Sequence, residues 1–276
     1  MSTYSTKYKY SGFIKGFLVV LGALFISSLA VQAIDMHRFG NASLLGLVGG
    51  SRVGDCPAGM VAVDTAASFR CVDIYEASPG PACQYSEVRS VGATQENLAG
   101  ANCQPVSVAG AMPWVFITRE QAATACAYAG KRLPTAEEWY QFAIGVRVPQ
   151  NCTIQEGRSL PTGSASECRS AAGVYDVVGN VWEWVREDII GGQYQGRALP
   201  PAGYVQAVDQ VGLPVATQAT STEVFAGAYW YGTSTEAAAL MRGGFYGSRG
   251  DASVYTAHAA LPATTATAGI GFRCVQ

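Results

Sequence analysis

Eight cysteines, none of them before Cys56, constrain this 276-residue chain more than any other feature. An even set of thiols with no Cys-x-x-Cys pair reads as disulfides formed in an oxidising compartment. Zinc is a poor reading, because only His37 and His258 could join them. Spacing alone does not fix connectivity, but three pairs are favoured by what they bracket. Cys56 and Cys71 flank a strand-like pair, Cys83 and Cys103 a polar loop, and Cys152 and Cys168 a Gly/Ser/Thr-rich insertion. Cys126 stands on a predicted helix and Cys274 near the chain end.

An oxidising compartment implies export, and the first 55 residues carry the means. Lys7, Lys9 and Lys15 precede an uncharged apolar run from Gly16 to Ala33, and the only other lysine is Lys131. A run of about 18 apolar residues is near the lower limit for a bilayer-spanning helix. Lysines ahead of it place the N-terminus in the cytoplasm and the rest outside. The preferred organisation is a cytoplasmic segment over 1–15, a signal-anchor helix over 16–34, a flexible linker over 35–55 and a domain over 56–276. The protein would then be a single-pass protein of the cell membrane with an extracytoplasmic domain. Two other readings compete: a signal peptide cleaved after Val31-Gln-Ala33, and a pilin-like leader with Gly16 just before its apolar helix. All three put the domain outside the cytoplasm. A net charge of −2 gives no footprint for nucleic acid. Low charged content (14%) and 32 glycines suit a loop-rich exported domain better than a charged cytosolic enzyme.

Within the domain, Cys56–Val63 and Phe69–Glu76 read as an opening pair of strands. Thr118 with Gln121 forms a capping box ahead of an Ala-rich helix that Gly130 ends. Thr135 with Glu138 repeats the device before Trp139, Phe142 and Ala143, which share one helical face. Beyond residue 145 the pattern is short strands and long loops, and Gly191–Tyr231 shows no periodicity that assigns it. On a strand, Trp182 and Trp184 face one side and Glu183 the other. Core packing is the favoured role for that pair over a sugar-stacking platform.

Four words then recur in order: Gly130-Lys-Arg-Leu-Pro-Thr-Ala-Glu-Glu-Trp139, Tyr175-Asp-Val-Val-Gly-Asn-Val-Trp-Glu-Trp184, Met241-Arg-Gly-Gly-Phe245 and Gly269-Ile-Gly-Phe-Arg-Cys274. Together they resemble the formylglycine-generating-enzyme, or sulfatase-modifying-factor, family. The resemblance implies an α+β, C-type-lectin-like fold: loop-rich, with two short helices and short strands, disulfide-braced and preceded by the N-terminal apolar helix. It also suggests a Cys126–Cys274 bridge. The family's oxidases carry a cysteine pair between the last two words to hold copper, and here Tyr246–Ala268 has no cysteine. No copper and no catalysis are therefore expected. The second word holds a structural calcium in the family, which would draw on the carboxylates of Asp176 and Glu183 and the carbonyls of Gly179 and Val181. The competing reading has Asp176 and Glu183 only capping turns. Other enzyme signatures are missing: there is no Gly-x-Ser-x-Gly, no His-Glu-x-x-His and no phosphate-cradling loop.

The stretch from Tyr246 to Gly269 is built almost wholly of Tyr, Ser, Thr, Ala, Gly, Asp, Arg and His. Each type is reached from an asparagine codon by changing one or both adenines. The segment thus resembles that of the variable proteins of diversity-generating retroelements, where it forms a ligand-binding face. Candidate contact residues are Tyr246, Ser248, Arg249, Asp251, Ser253, Tyr255, Ala257, His258, Thr265 and Ala268. Tyrosines offer contact area at low entropy cost, and small residues adapt around them. Arg249-Gly-Asp251 spells an integrin-recognition word that chance supplies readily. The preferred function is non-catalytic binding of a protein or glycan on another cell or surface. The alternatives are a filament or surface-layer subunit self-assembling through the N-terminal helix, and a divergent oxidase of the family.

Overall fold

A computed structural model describes residues 56–63, 69–146, 149–232 and 237–276. The cytoplasmic segment, apolar run and linker expected over 1–55 lie outside these residues. Among the described residues no helix is long and apolar enough to cross a membrane.

The opening strands are β1 (Met60–Ala62) and β2 (Cys71–Asp73), antiparallel with Met60 opposite Asp73. The Cys56–Cys71 disulfide closes them. β3 (Ser78–Pro79) pairs with β4 (Pro105–Val106), and Cys83–Cys103 staples the excursion between them. That excursion holds α1 (Val91–Leu98), so the described residues contain three helices rather than the expected two. Val91 and Leu98 are its only large apolar residues, which leaves no helical stripe to read. Its one local signal is Ser90, whose hydroxyl accepts the Ala93 N–H as an N-cap.

Both helices with capping boxes form where expected. α2 (Arg119–Tyr128) starts from Thr118 and Gln121, and α3 (Ala136–Ala143) from Thr135 and Glu138, each with both reciprocal bonds made. Gly130 follows α2 with φ +68°, the left-handed turn that glycine adopts without a Cβ penalty. α3 buries Trp139, Phe142 and Ala143.

The remaining chain contributes β5 (Trp182–Ile189), β6 (Gln193–Tyr194), β7 (Arg197–Ala198), β8 (Gly203–Val208), β9 (Pro214–Gln218), β10 (Tyr229–Gly232), β11 (Ala238–Arg242), β12 (Ala257–Ala259) and β13 (Ile270–Gly271). Seven of these form one mixed sheet in the order β13-β5-β11-β12-β10-β8-β9. The unassigned stretch Gly191–Tyr231 supplies β6 to β9 and the start of β10. Strands of two to six residues, with register shifts where β8 meets β9, are too short and irregular to show a period.

One core cluster lies around Phe69, Trp139, Phe142, Trp230 and Leu240, and a second around Trp114, Ile117, Trp184, Met241 and Phe272. Trp182 and Trp184 both belong to the second, as core residues. Glu183 points the other way, toward α3. Cys152–Cys168 and Cys126–Cys274 complete four disulfides, and the latter ties α2 to the chain end across a separation of 148 residues.

Candidate functional site

The sequence words converge on one buried ionic node. Arg273 and Glu183 are 0% and 1% exposed, and Arg273 Nε donates to both Glu183 oxygens at 2.8 Å. The same guanidinium donates to the carbonyls of Asp73 at 3.1 Å and Tyr175 at 2.8 Å. Trp139 Nε1 donates to Glu183 Oε2 at 2.6 Å. On the neighbouring side, Val181 N–H and Asn180 Nδ2 donate to Glu76 at 3.1 and 2.5 Å. Asp176 Oδ2 accepts the Gly163 N–H at 2.6 Å. Glycine is required at Gly179, where φ is +81° and a Cβ would stand 2.2 Å from the Thr153 carbonyl oxygen.

Of the residues expected to form a calcium cage, Asp176 and Glu183 are buried and hydrogen-bonded within the protein. Glu183 gives both oxygens to a guanidinium and an indole, so its charge is already met by an internal cation. Gly179 and Val181 donate their N–H groups to the Gly243 carbonyl and to Glu76, bonds that do not involve their own carbonyl oxygens. Among the described residues no group of three or more His, Cys, Asp or Glu is arranged to hold a metal.

Glu76 and Asp176 both lie close to the Arg273 guanidinium. Burial, reinforced by the Asp176 and Glu183 charges, pushes Glu76 far above the usual carboxylate range. Burial lifts Asp176 to about 6, against the Gly163 N–H and the charge of Arg273.

The C-terminal segment is less of a surface loop than its composition suggests. Ala257 sits on β12, between β10 and β11, and is fully buried. Ser248 and Ser253 are also buried. Ser248 Oγ accepts the Phe245 N–H at 2.9 Å, while Ser253 Oγ donates to the Phe225 carbonyl and accepts the Tyr255 N–H. These three are corrected from ligand contacts to internal positions: Ala257 faces inward on a mid-sheet strand, and the two serine hydroxyls are taken up in bracing the turns before it. Tyr255 leans inward as well, with its ring 5.9 Å from Tyr140 and 5.2 Å from Phe225. Tyr246, Arg249, Asp251, His258, Thr265 and Ala268 remain half-buried or exposed. The Arg249–Asp251 word is a 3-10 turn whose Asp251 carboxylate accepts the Tyr231 hydroxyl at 3.2 Å.

The outward residues join a larger feature. Tyr204 on β8 meets Tyr229 on β10 at 5.0 Å between centroids, and Tyr229 meets Tyr231 at 4.6 Å. Tyr231 stacks on His258 at 5.3 Å, which follows from their pairing in the parallel β10–β12 register. His258 meets Trp182 at 5.5 Å, Trp182 meets Phe245 at 6.4 Å, and Phe245 meets Tyr246 at 4.9 Å. A continuous row of rings thus runs from β8 to Tyr246. Sequence reasoning missed Tyr204, Tyr229, Tyr231 and Phe245. The alternation Tyr229-Trp230-Tyr231 was a usable signal, since Trp230 is buried in the core and both tyrosines face the other side. Burial pushes the His258 imidazole down to about 4, so the row is uncharged there at neutral pH.

A pH dependence follows from Asp176 and His258, with opposite signs. Asp176 binds its proton more tightly folded than unfolded, so its contribution to stability rises as pH falls from above 6 toward 4. His258 resists protonation when folded, so its contribution is complete above 6.5 and is lost as pH falls toward 4. Asp176→Asn removes only the first effect. Denaturant melts from pH 4 to 8 should show the variant losing more stability on acidification than the parent; parallel profiles would contradict the assignment.

Residues 149–276 match the family model of the "Sulfatase-modifying factor enzyme 1-like domain". The chain is similar to the "Inactive C-alpha-formylglycine-generating enzyme 2" of Bos taurus, at 31% identity over 121 residues, which cover 35% of this chain and 40% of that protein. It therefore spans about two fifths of the length of that curated relative. Among solved structures, the "Major Tropism Determinant I1 Variant" aligns with a TM-score of 0.44 and 18% identity over 80% of this chain and 52% of that one. The "Treponema denticola variable protein 1" aligns with a TM-score of 0.41 and 13% identity over 80% and 91%.

Among the described residues every cysteine is spent. All eight are paired in four disulfides and none is free. Cys274, the cysteine nearest in sequence to the Tyr246–Ala268 segment, is bonded to Cys126. A copper–thiolate centre needs thiolate donors, and the donor set present does not fit one. Titration of the denatured, unreduced protein with a thiol reagent should find no reactive cysteine; two reactive thiols would reopen the oxidase reading.

Proposed function

We propose that this protein is a non-catalytic ligand-binding protein in which a C-type-lectin-like scaffold displays the aromatic row and the outward C-terminal residues. The observation that carries the reading is the row itself. It links residues of the compositionally unusual segment to Tyr204, Tyr229 and Tyr231 on adjoining strands, as one partly open surface. Tyrosine-rich surfaces bind with large contact area and little ordering cost. The inactive designation of the Bos taurus relative and the full pairing of the cysteines support a role without catalysis. In this reading the N-terminal apolar run anchors the chain in the cell membrane, and the domain meets a protein or glycan on another surface. Tyr246, Arg249, Asp251, His258, Thr265 and Ala268 are the positions at which diversification would alter what is bound.

The test is binding of the full-length protein, in detergent or nanodiscs, to glycan arrays and to a panel of intact cells. On any surface that binds, Tyr231→Ala combined with Tyr246→Ala should weaken binding at least about tenfold, as loss of interface tyrosines typically does. Unchanged binding would remove the row from the ligand face.

A further inference from the structure

Beside Tyr246 the surface opens into a cleft of about 440 Å³, within the usual range for ligand pockets of about 300–1,000 Å³. Its floor is apolar, built from Met112, Phe116, Leu160 and Pro161, and one wall is Tyr246 with Ala268. The walls are held rigidly. Tyr246 N–H donates to the Asn180 carbonyl, the Tyr246 carbonyl accepts the Glu156 N–H, and Phe116 N–H donates to the Thr267 carbonyl. Phe116 has a φ of +54°, an uncommon conformation for an aromatic residue and one that is enriched at ligand clamps.

The rim is positive. Arg158 is exposed and has no acidic partner among the described residues. Arg89 pairs with Glu87 at 2.7 Å, but their side chains are 85% and 53% exposed, and exposed pairs contribute little. An incoming anion can therefore compete with Glu87. Arg89 also stands directly before the cap of α1, whose first turn carries no acidic residue, so the helix end adds to the same potential.

We propose that this cleft binds a carboxylate carried on an apolar group, with the apolar part on the Leu160–Phe116 floor and the carboxylate at Arg158 and Arg89. This names the ligand chemistry at one end of the face proposed above and rests on that reading only for Tyr246 and Ala268. The fixed floor and arginines set the class of ligand, and the two segment residues at the wall select within it.

The test is calorimetric titration of the full-length protein with three probes: a phenylalanine-terminated pentapeptide with a free C-terminus, the same peptide as its C-terminal amide, and 3-phenylpropionate. The acid peptide should bind at least about tenfold more tightly than the amide, as expected when a charge-assisted hydrogen bond is removed. Arg158→Gln should abolish that preference without moving the melting temperature. Binding of the peptide acid alone supports a chain terminus as the source, and equal binding of phenylpropionate supports a free acid. Equal affinity for acid and amide, no binding of either acid, or an unaffected Arg158→Gln variant would overturn the proposal. If the acids fail while Tyr231→Ala with Tyr246→Ala still weakens surface binding, this inference falls and the ligand-face reading stands.

Discussion

Replacing Arg273 with methionine is expected to destabilise the domain by about 3–5 kcal/mol, the cost of leaving a buried charge without its partner. The residue is fully buried, and its guanidinium is the cation shared by Glu183, Glu76 and Asp176. Its loss also removes the donor to the carbonyls of Asp73, in β2, and of Tyr175. A buried pair replaced as a unit by apolar residues is often close to neutral, but that escape is closed here. Glu183→Gln combined with Arg273→Met should recover only part of the loss, because the Asp176 carboxylate still loses its neighbouring cation and the Asp73 and Tyr175 carbonyls their donor. Denaturant midpoints of the two variants decide the matter. A change below about 1 kcal/mol for Arg273→Met would mean that the node carries little of the fold, against the usual cost of unpaired buried charge.

Cys126→Ala with Cys274→Ala is expected to cost about 2–5 kcal/mol, at the upper end if chain entropy dominates, because the bridge closes the longest loop of the four. Cys274 directly follows Arg273, so the bridge also fixes the residue on which the ionic node depends. In the structure Cys274 N–H donates to Asp73 Oδ2 at 2.9 Å, and Asp73 is paired with Lys131 just beyond α2. The two predictions are therefore coupled: the triple variant with Arg273→Met should lose less than the sum of the separate losses. Additive losses would show that the staple and the node act independently.

The parts of the fold legible in the sequence are those fixed by local chemistry. Thr118 with Gln121 and Thr135 with Glu138 announce α2 and α3, because a capping box is a pattern of four adjacent residues. The contrast is α1, where one N-cap serine heads eight residues with no apolar stripe. The sheet was hidden for a different reason. Its strands between Gly203 and Gly232 are short, and the β8–β9 pairing carries register shifts, so no alternation is sustained long enough to read as a period. The site divides along the same line. Composition singles out the segment that holds Tyr246, Arg249, Asp251, His258, Thr265 and Ala268 as candidates, yet composition does not say that β12 runs mid-sheet. Ser253 and Ala257 were for that reason assigned to the wrong side. The Glu183–Arg273 pair is hidden in the sequence because its members lie 90 positions apart and only folding brings them together.

The most direct test of the central claim is deep sequencing of the 3′ end of the gene and its neighbourhood within one culture. A diversified display face predicts a nearby near-copy differing at adenines, with substitutions concentrated at codons 246, 249, 251, 258, 265 and 268 and sparse at the buried Ser253 and Ala257. A uniform 3′ end with no such copy, or substitutions spread equally over buried and outward codons, would contradict it.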